Sequence, residues 1–272
     1  MEKSGKQPDV EGRTYPVSYA LILFCFALLL TACRSDKDHV LANNSEGVVC
    51  VVLAHPDDET ILSGTLSMLT ERGFDITIVY VTSGDDGPDE TGQGLFGSTL
   101  GTVREKEALQ ALGVIGIKNP PKFLRFPDGH VQDHADSVFF SLNGIFSELS
   151  PQVVIGFGPD GITGADDHRV TGYVTDSAFN LSESGRLLLH MAVTKPLPPF
   201  FAGGVAVPKS NVDVSVNVSK YAVQRSQVVA AHHTQFNSKI RSSYKVLVHT
   251  MRKEKFIVAG NRNAGEWVER CF

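Results

Sequence analysis

Val51, Val52, Leu53 and Ala54 form a continuous apolar run with no polar alternation, the pattern of a strand buried on both faces. Such a strand needs a layer of helices on each side of its sheet, so this run limits the fold more than any other stretch. Pro56 ends the strand. Ile61, Leu62, Leu66, Met68 and Leu69 then recur at helical spacing until Arg72-Gly73 closes the helix as a C-cap. Ile76, Ile78, Val79, Tyr80 and Val81 predict a second strand, Phe123, Leu124 and Phe126 a third, and Val153 to Phe157 a fourth. Between them, Thr102 to Gly113 carries Val103, Ala108, Leu109, Ala111 and Leu112 on one helical face. Val138, Leu142, Ile145 and Leu149 line another helix, which Pro151 stops. Strands alternating with helices imply a Rossmann-like, three-layer α/β fold with a mostly parallel sheet, right-handed crossovers and ligands at the carboxyl edge. Past about residue 186, β-branched runs at Leu187–Val193, Phe200–Val207 and Val212–Val218, then a helix over Tyr221–Gln235, predict a smaller C-terminal β-rich and helical extension capping the main sheet.

With 272 residues the chain has enough material for one α/β domain with a full core. A net charge of -5 without a basic run argues against nucleic acid as a partner. The N-terminus reads as a separate unit. Val17 to Leu30 is almost wholly apolar, follows Lys3, Lys6 and Arg13, and is too short for an ordinary spanning helix. Leu30-Thr31-Ala32-Cys33 resembles a bacterial lipobox, whose cysteine is lipidated; the alternative is an uncleaved signal anchor. The segment before the run also holds Glu2, Asp9 and Glu11, which nearly cancel its positive charge. The expected organisation is a lipoprotein signal peptide over 1–33, a polar tether over 34–46 and one α/β domain over 47–272, facing an extracytoplasmic compartment of a bacterial envelope. A Cys50–Cys271 bridge is permitted but not implied, and burial as a free thiol is the commoner state for Cys50.

His55 stands where the first strand leaves the sheet, followed by Asp57, Asp58 and Glu59. Carboxylates suit a helix N-terminus, but a capped turn needs one acid rather than three behind a histidine. Three residues apart across a strand-to-helix turn, His55 and Asp58 can aim at one point above the sheet. Imidazole and carboxylate are ordinary zinc ligands, and a remaining carboxylate beside the metal could serve as general base. The fourth strand leads into a second cluster, Gly158-Pro159-Asp160-Gly161-Ile162-Thr163-Gly164-Ala165-Asp166-Asp167-His168-Arg169, whose His168 is the natural third ligand. Three protein ligands with one open position are the catalytic form of a zinc site, although this set would accept iron or cobalt too.

Ala54-His55-Pro56-Asp57-Asp58-Glu59 at the end of the first strand resembles the signature of the PIG-L/LmbE superfamily of zinc-dependent de-N-acetylases. Further matches are Thr82-Ser83-Gly84, Arg104-Glu105 with Leu112-Gly113, Phe126-Pro127-Asp128-Gly129, Asp167-His168, and Ala231-His232-His233-Thr234-Gln235. The resemblance implies removal of an acetyl group from N-acetylglucosamine-type sugars, with Zn2+ on His55, Asp58 and His168 and Asp57 as base. It implies substrate contacts from Arg104, Asp128 and Asp167. For Arg104, pairing with Glu107 or Asp85 is the bland alternative; for Asp128, a Pro-Asp-Gly turn explains itself. Glu59, Asp166 and His232 are supporting or unassigned. Ala165-Asp166 departs from the usual His-Pro of the family. The missing histidine is one that would polarise the amide carbonyl or handle protons, so an altered reaction or a glycan-binding role follows as the alternative. Asp166, His130 and a C-terminal histidine are the candidates to replace it.

Overall fold

The computed structural model describes residues 46–195, 206–261 and 264–272. The expected signal peptide, the lipidated Cys33 and all but the last residue of the tether lie outside the described residues, as does most of the run Phe200–Val207. Seven strands form one sheet: β1 (Val48–Leu53), β2 (Asp75–Thr82), β3 (Lys122–Phe126), β4 (Val153–Phe157), β5 (Leu187–Ala192), β6 (Val214–Asn217) and β7 (Lys253–Asn261). Their order is β3-β2-β1-β4-β5-β7-β6. The first five strands run parallel, whereas β7 pairs antiparallel to both β5 and β6. Chain order reverses direction across the sheet between β1 and β4, so their carboxyl ends open the crevice where ligands bind in such folds.

β1 shows why this architecture forms. Its residues point alternately to two cores. Val49, Val51 and Leu53 pack with Leu66, Leu69, Ala108 and Leu112, which belong to helices α1 (Ser63–Glu71) and α2 (Gly97–Ile115). Cys50 and Val52 pack with Val138, Leu142 and Phe146 of α3 (Ala135–Leu149) and Val174 and Ala178 of α4 (Asp166–Leu181). Each such buried aliphatic side chain contributes about 1.5–3 kcal/mol. An unbroken apolar run is therefore what a two-sided strand requires. Cys50 and Cys271 are both buried and free, so no bridge joins them.

Two expectations need correction. The C-terminal extension does not cap the sheet but continues it: β5 is its fifth parallel strand, and β7 and β6 finish the edge. Second, the helix expected from Thr102 begins at Gly97, so Arg104 lies two turns inside α2 instead of at its start. Gly101 stands where an added Cβ would come within 3.0 Å of the Ser83 side chain, which explains a glycine in a helix pressed against the β2 loop. The last elements are α5 (Ala222–Ala231), α6 (Ser238–Leu247) and α7 (Ala264–Cys271). Among the described residues no helix is long and apolar enough to cross a membrane.

Candidate metal centre and active site

The turn after β1 does not use its acids as caps. Asp57 adopts φ 119° with no side-chain cap bond, and Asp58 to Ile61 form a 3-10 turn ahead of α1. A left-handed backbone at a non-glycine residue costs about 1–3 kcal/mol and persists only where surrounding contacts impose it. Asp58 is buried and turns back, accepting the His55 backbone N–H at 2.8 Å, while Asp57 is half-buried; both border the open groove.

His168 arrives from the first turn of α4, stacked on Phe157 at 4.3 Å between ring centroids. Its Nδ1 lies 2.9 Å from the Gly161 carbonyl, which only accepts, so that nitrogen carries the proton and Nε2 offers its lone pair. His55 is fixed in the same way from its other side: Nε2 faces Asp128 Oδ1 at 2.9 Å and Asp167 Oδ2 at 3.3 Å. The His55 Nδ1 and His168 Nε2 atoms meet at 3.1 Å, with Asp58 Oδ1 3.3 Å from His168 and Oδ2 3.7 Å from His55. Two imidazole lone pairs beside a carboxylate repel unless a proton or a cation lies among them. Two nitrogens and one oxygen suit a zinc-like divalent ion, so the residues fit the expected metal. His55, Asp128 and Asp167 also approach one another closely. Asp167 already accepts N–H groups from Gly129 at 2.7 Å and Val131 at 3.1 Å, and Asp128 accepts that of Asp86 at 2.9 Å. These two acids therefore orient His55, as carboxylates behind metal-binding histidines do.

Burial opposes protonation of His55, yet its hydrogen bonds to Asp128 and Asp167 outweigh that and hold its pKa well above the usual imidazole value. Burial works against the Asp58 carboxylate too, but the charges of His168 and His55 keep its pKa low. At Asp57, burial and then the Asp58 charge push the carboxyl up to about 7. A carboxyl poised near neutrality is the requirement for a general base.

The site opens into a groove of about 440 Å3 whose walls include Asp57, Ile61, Arg104, Asp128, Thr163 and Gln235. Arg104 is buried and donates to the carbonyls of Gly84 and Pro88, which shapes the loop after β2 into one wall; neither Glu107 nor Asp85 is its partner. Ala165 lines the groove. None of the three candidates to replace a histidine there is placed to do so. Asp166 is exposed beside Arg169, and His130 is exposed beside Asp133. His232 is fully buried against Glu59. The sequence missed Thr163, which shares the His168 Nδ1 proton at 2.9 Å, and Tyr80, whose hydroxyl donates to Glu59 at 2.9 Å. The signal for Tyr80 was a polar tip inside a strand buried on both faces.

With this geometry in place, similarity to known proteins agrees with it. The family PIG-L, GlcNAc-PI de-N-acetylase, matches residues 50–179, which hold both clusters. A 1D-myo-inositol 2-acetamido-2-deoxy-alpha-D-glucopyranoside deacetylase of Corynebacterium glutamicum is 30% identical over 226 residues, covering 72% of this chain and 78% of the relative. A probable N-acetyl-alpha-D-glucosaminyl L-malate deacetylase 2 of Bacillus anthracis is 26% identical over 204 residues, 72% of this chain and 84% of its own. The solved N,N'-diacetylchitobiose deacetylase of Pyrococcus horikoshii shares the fold at a TM-score of 0.62 and 18% identity, over 92% of this chain and 94% of that one. The chain belongs to the GlcNAc-PI de-N-acetylase (PIG-L) family.

Proposed function

We propose that the protein hydrolyses the N-acetyl group of an N-acetylglucosamine-type glycoside, with zinc or a similar divalent ion held by His55, Asp58 and His168. One observation carries this: His55 Nδ1 and His168 Nε2 converge at 3.1 Å beside Asp58, on the wall of a groove that Asp57 also lines. His55, Asp58 and His168 would hold the ion, which would supply polarisation of the acetyl carbonyl and a more acidic bound water. Asp57 takes the proton from the attacking water and returns it to the departing amine nitrogen. Asp128 and Asp167 keep the His55 Nε2 proton in place, so that Nδ1 remains the donor atom. The Arg104-braced loop and the Asp128 turn form the walls against which a sugar and its aglycone would lie. Relatives named for inositol- and malate-linked glucosamines support a constant sugar with a varied aglycone.

The decisive variant is Asp57→Asn. It should keep bound zinc and lose about 10²–10⁴-fold in deacetylation, the range for a general base; full activity with zinc bound would refute the assignment. Ala165 favours a second reading, a metal-bearing protein that binds glycans or cleaves another amide or ester on the same site. A panel containing both N-acetyl and O-acetyl sugars separates the two. The apolar run Val17–Leu30 followed by Leu30-Thr31-Ala32-Cys33 further supports a lipid anchor at Cys33 and a place in the bacterial envelope. Mass spectrometry of the mature N-terminus tests it: acylated Cys33 is expected, and an unmodified Met1 would refute it.

A further inference from the structure

The segment after α5 grips the opening turn from behind. His232 Nε2 pairs with Glu59, and Gln235 donates to the Pro56 carbonyl. Its neighbour Thr234 fastens the same segment to α2, donating from N and Oγ1 to Glu107 at 2.9 and 2.6 Å, and accepts the Glu90 N–H of the groove loop at 2.9 Å. At the centre lies Glu59, with no exposed surface. Its carboxylate accepts the Tyr80 hydroxyl at 2.9 Å and the backbone N–H of Asp57 at 3.1 Å, besides facing His232. That last N–H belongs to the one residue of the turn with a left-handed backbone.

A buried ion pair is an inefficient stabiliser compared with apolar packing of the same volume. Its presence directly behind a strained residue indicates a task that apolar packing cannot perform, which is to hold one backbone N–H in one direction. We infer that Glu59, held by His232 and Tyr80, is a positioning residue for the reaction: its carboxylate fixes the left-handed backbone of Asp57 and thereby aims the base into the groove. The inference rests on the proposed role of Asp57. It also gives Glu59 and His232 their work, since neither lines the groove or joins the His55–Asp58–His168 cluster.

The test is Glu59→Gln, alone and combined with Asp57→Asn, in zinc-loaded protein assayed on methyl N-acetylglucosaminide. An amide has the same shape but brings N–H groups of its own to a place already surrounded by donors. In the single variant, zinc should remain stoichiometric, kcat should fall about tenfold or more, and KM should change less than about twofold. Once Asp57 is already Asn, adding Glu59→Gln should cost almost nothing, because the residue acts through the base. Equal losses in both backgrounds would overturn the inference and leave Glu59 with a purely structural part. Amide hydrogen exchange of the turn is read in the same proteins without substrate: the Asp57 N–H should exchange about tenfold faster in Glu59→Gln. Unchanged exchange would overturn the inference as well. This measurement decides even if no acetate release is found, the outcome that would count against the proposed function instead. Should Glu59→Gln fail to fold, Tyr80→Phe removes a single donor and should show the same pattern at about threefold; no loss of kcat there, with the Asp57 amide as protected as before, would overturn it equally.

Discussion

Gly172→Ala would show whether the seat of α4 sets the metal centre. Gly172 lies one turn after His168, on the same helix face, against β4. A Cβ built there falls 2.7 Å from the Phe157 carbonyl oxygen and 3.2 Å from the Phe157 Cβ, where ordinary contact begins near 3.4 Å. The clash is with backbone, so the helix must retreat by about 0.7 Å, or β4 must yield as much. Alanine favours a helix over glycine by about 1 kcal/mol, while overpacking costs about 1–3 kcal/mol, so the net loss of stability is about 0–2 kcal/mol. Function should suffer more. Metal-ligand distances hold to about 0.2 Å, and misplacing a catalytic group by about 1 Å costs about 100-fold. The expected result is a fall in zinc affinity of about 10–100-fold with a Tm lowered by only a few degrees. Competition with a chromophoric chelator and calorimetry read the two effects separately. Gly144→Ala on α3, where an added Cβ meets nothing within 4 Å, is the control and should be neutral or slightly stabilising. A Gly172→Ala protein with unchanged zinc affinity and kcat/KM would refute the argument that this contact seats His168.

Three further outcomes follow from the same geometry. Asp167→Asn removes an acceptor behind His55 and should weaken zinc binding about 10–100-fold, measured in the same competition assay; unaltered affinity would mean that Asp167 does not orient the ligand. Because the pKa of His55 is raised, it stays protonated to higher pH than a free imidazole, and metal must displace that proton. Zinc affinity should therefore fall as pH drops and still be rising above about pH 6.5, with proton release visible by calorimetry in buffers of different ionisation enthalpy; a plateau below that pH would contradict it. Arg104→Ala should loosen the loop carrying Gly84 and Pro88 and raise KM with zinc content unchanged, whereas lost zinc would place Arg104 closer to the metal than its carbonyl partners imply.

The parallel core was legible because β1 and β4 are apolar without a break, a pattern that leaves few alternatives. The metal cluster was legible because each of its three residues follows a strand end. What failed to show in the sequence depended on partners far along the chain. The nine-residue strand β7 begins Lys-Glu-Lys, and only the ion pair with Arg225 at 3.1 Å and the N–H groups of Gly64 and Thr65 make its buried Glu254 tolerable. The early start of α2 was hidden by Gly97 and Gly101, because glycine is a poor helix former; at Gly101 the close approach of Ser83 explains it. The approach of Asp128 and Asp167 to His55 Nε2, at 2.9 and 3.3 Å, joins residues far apart in the chain and is invisible in spacing. Glu59 and His232 lie 173 residues apart in the chain, so neither motif alone could reveal their pairing.

On this reading His55, Asp58 and His168 hold a divalent ion that makes the groove a deacetylase. It is tested most directly by measuring bound zinc and acetate release from N-acetylglucosamine glycosides on one preparation of the protein, before and after chelation. About one zinc per chain is expected, with acetate release that disappears with the chelator and recovery of both when zinc is returned. Acetate release that survives complete removal of metal, or a protein that binds no divalent ion at all, would contradict it.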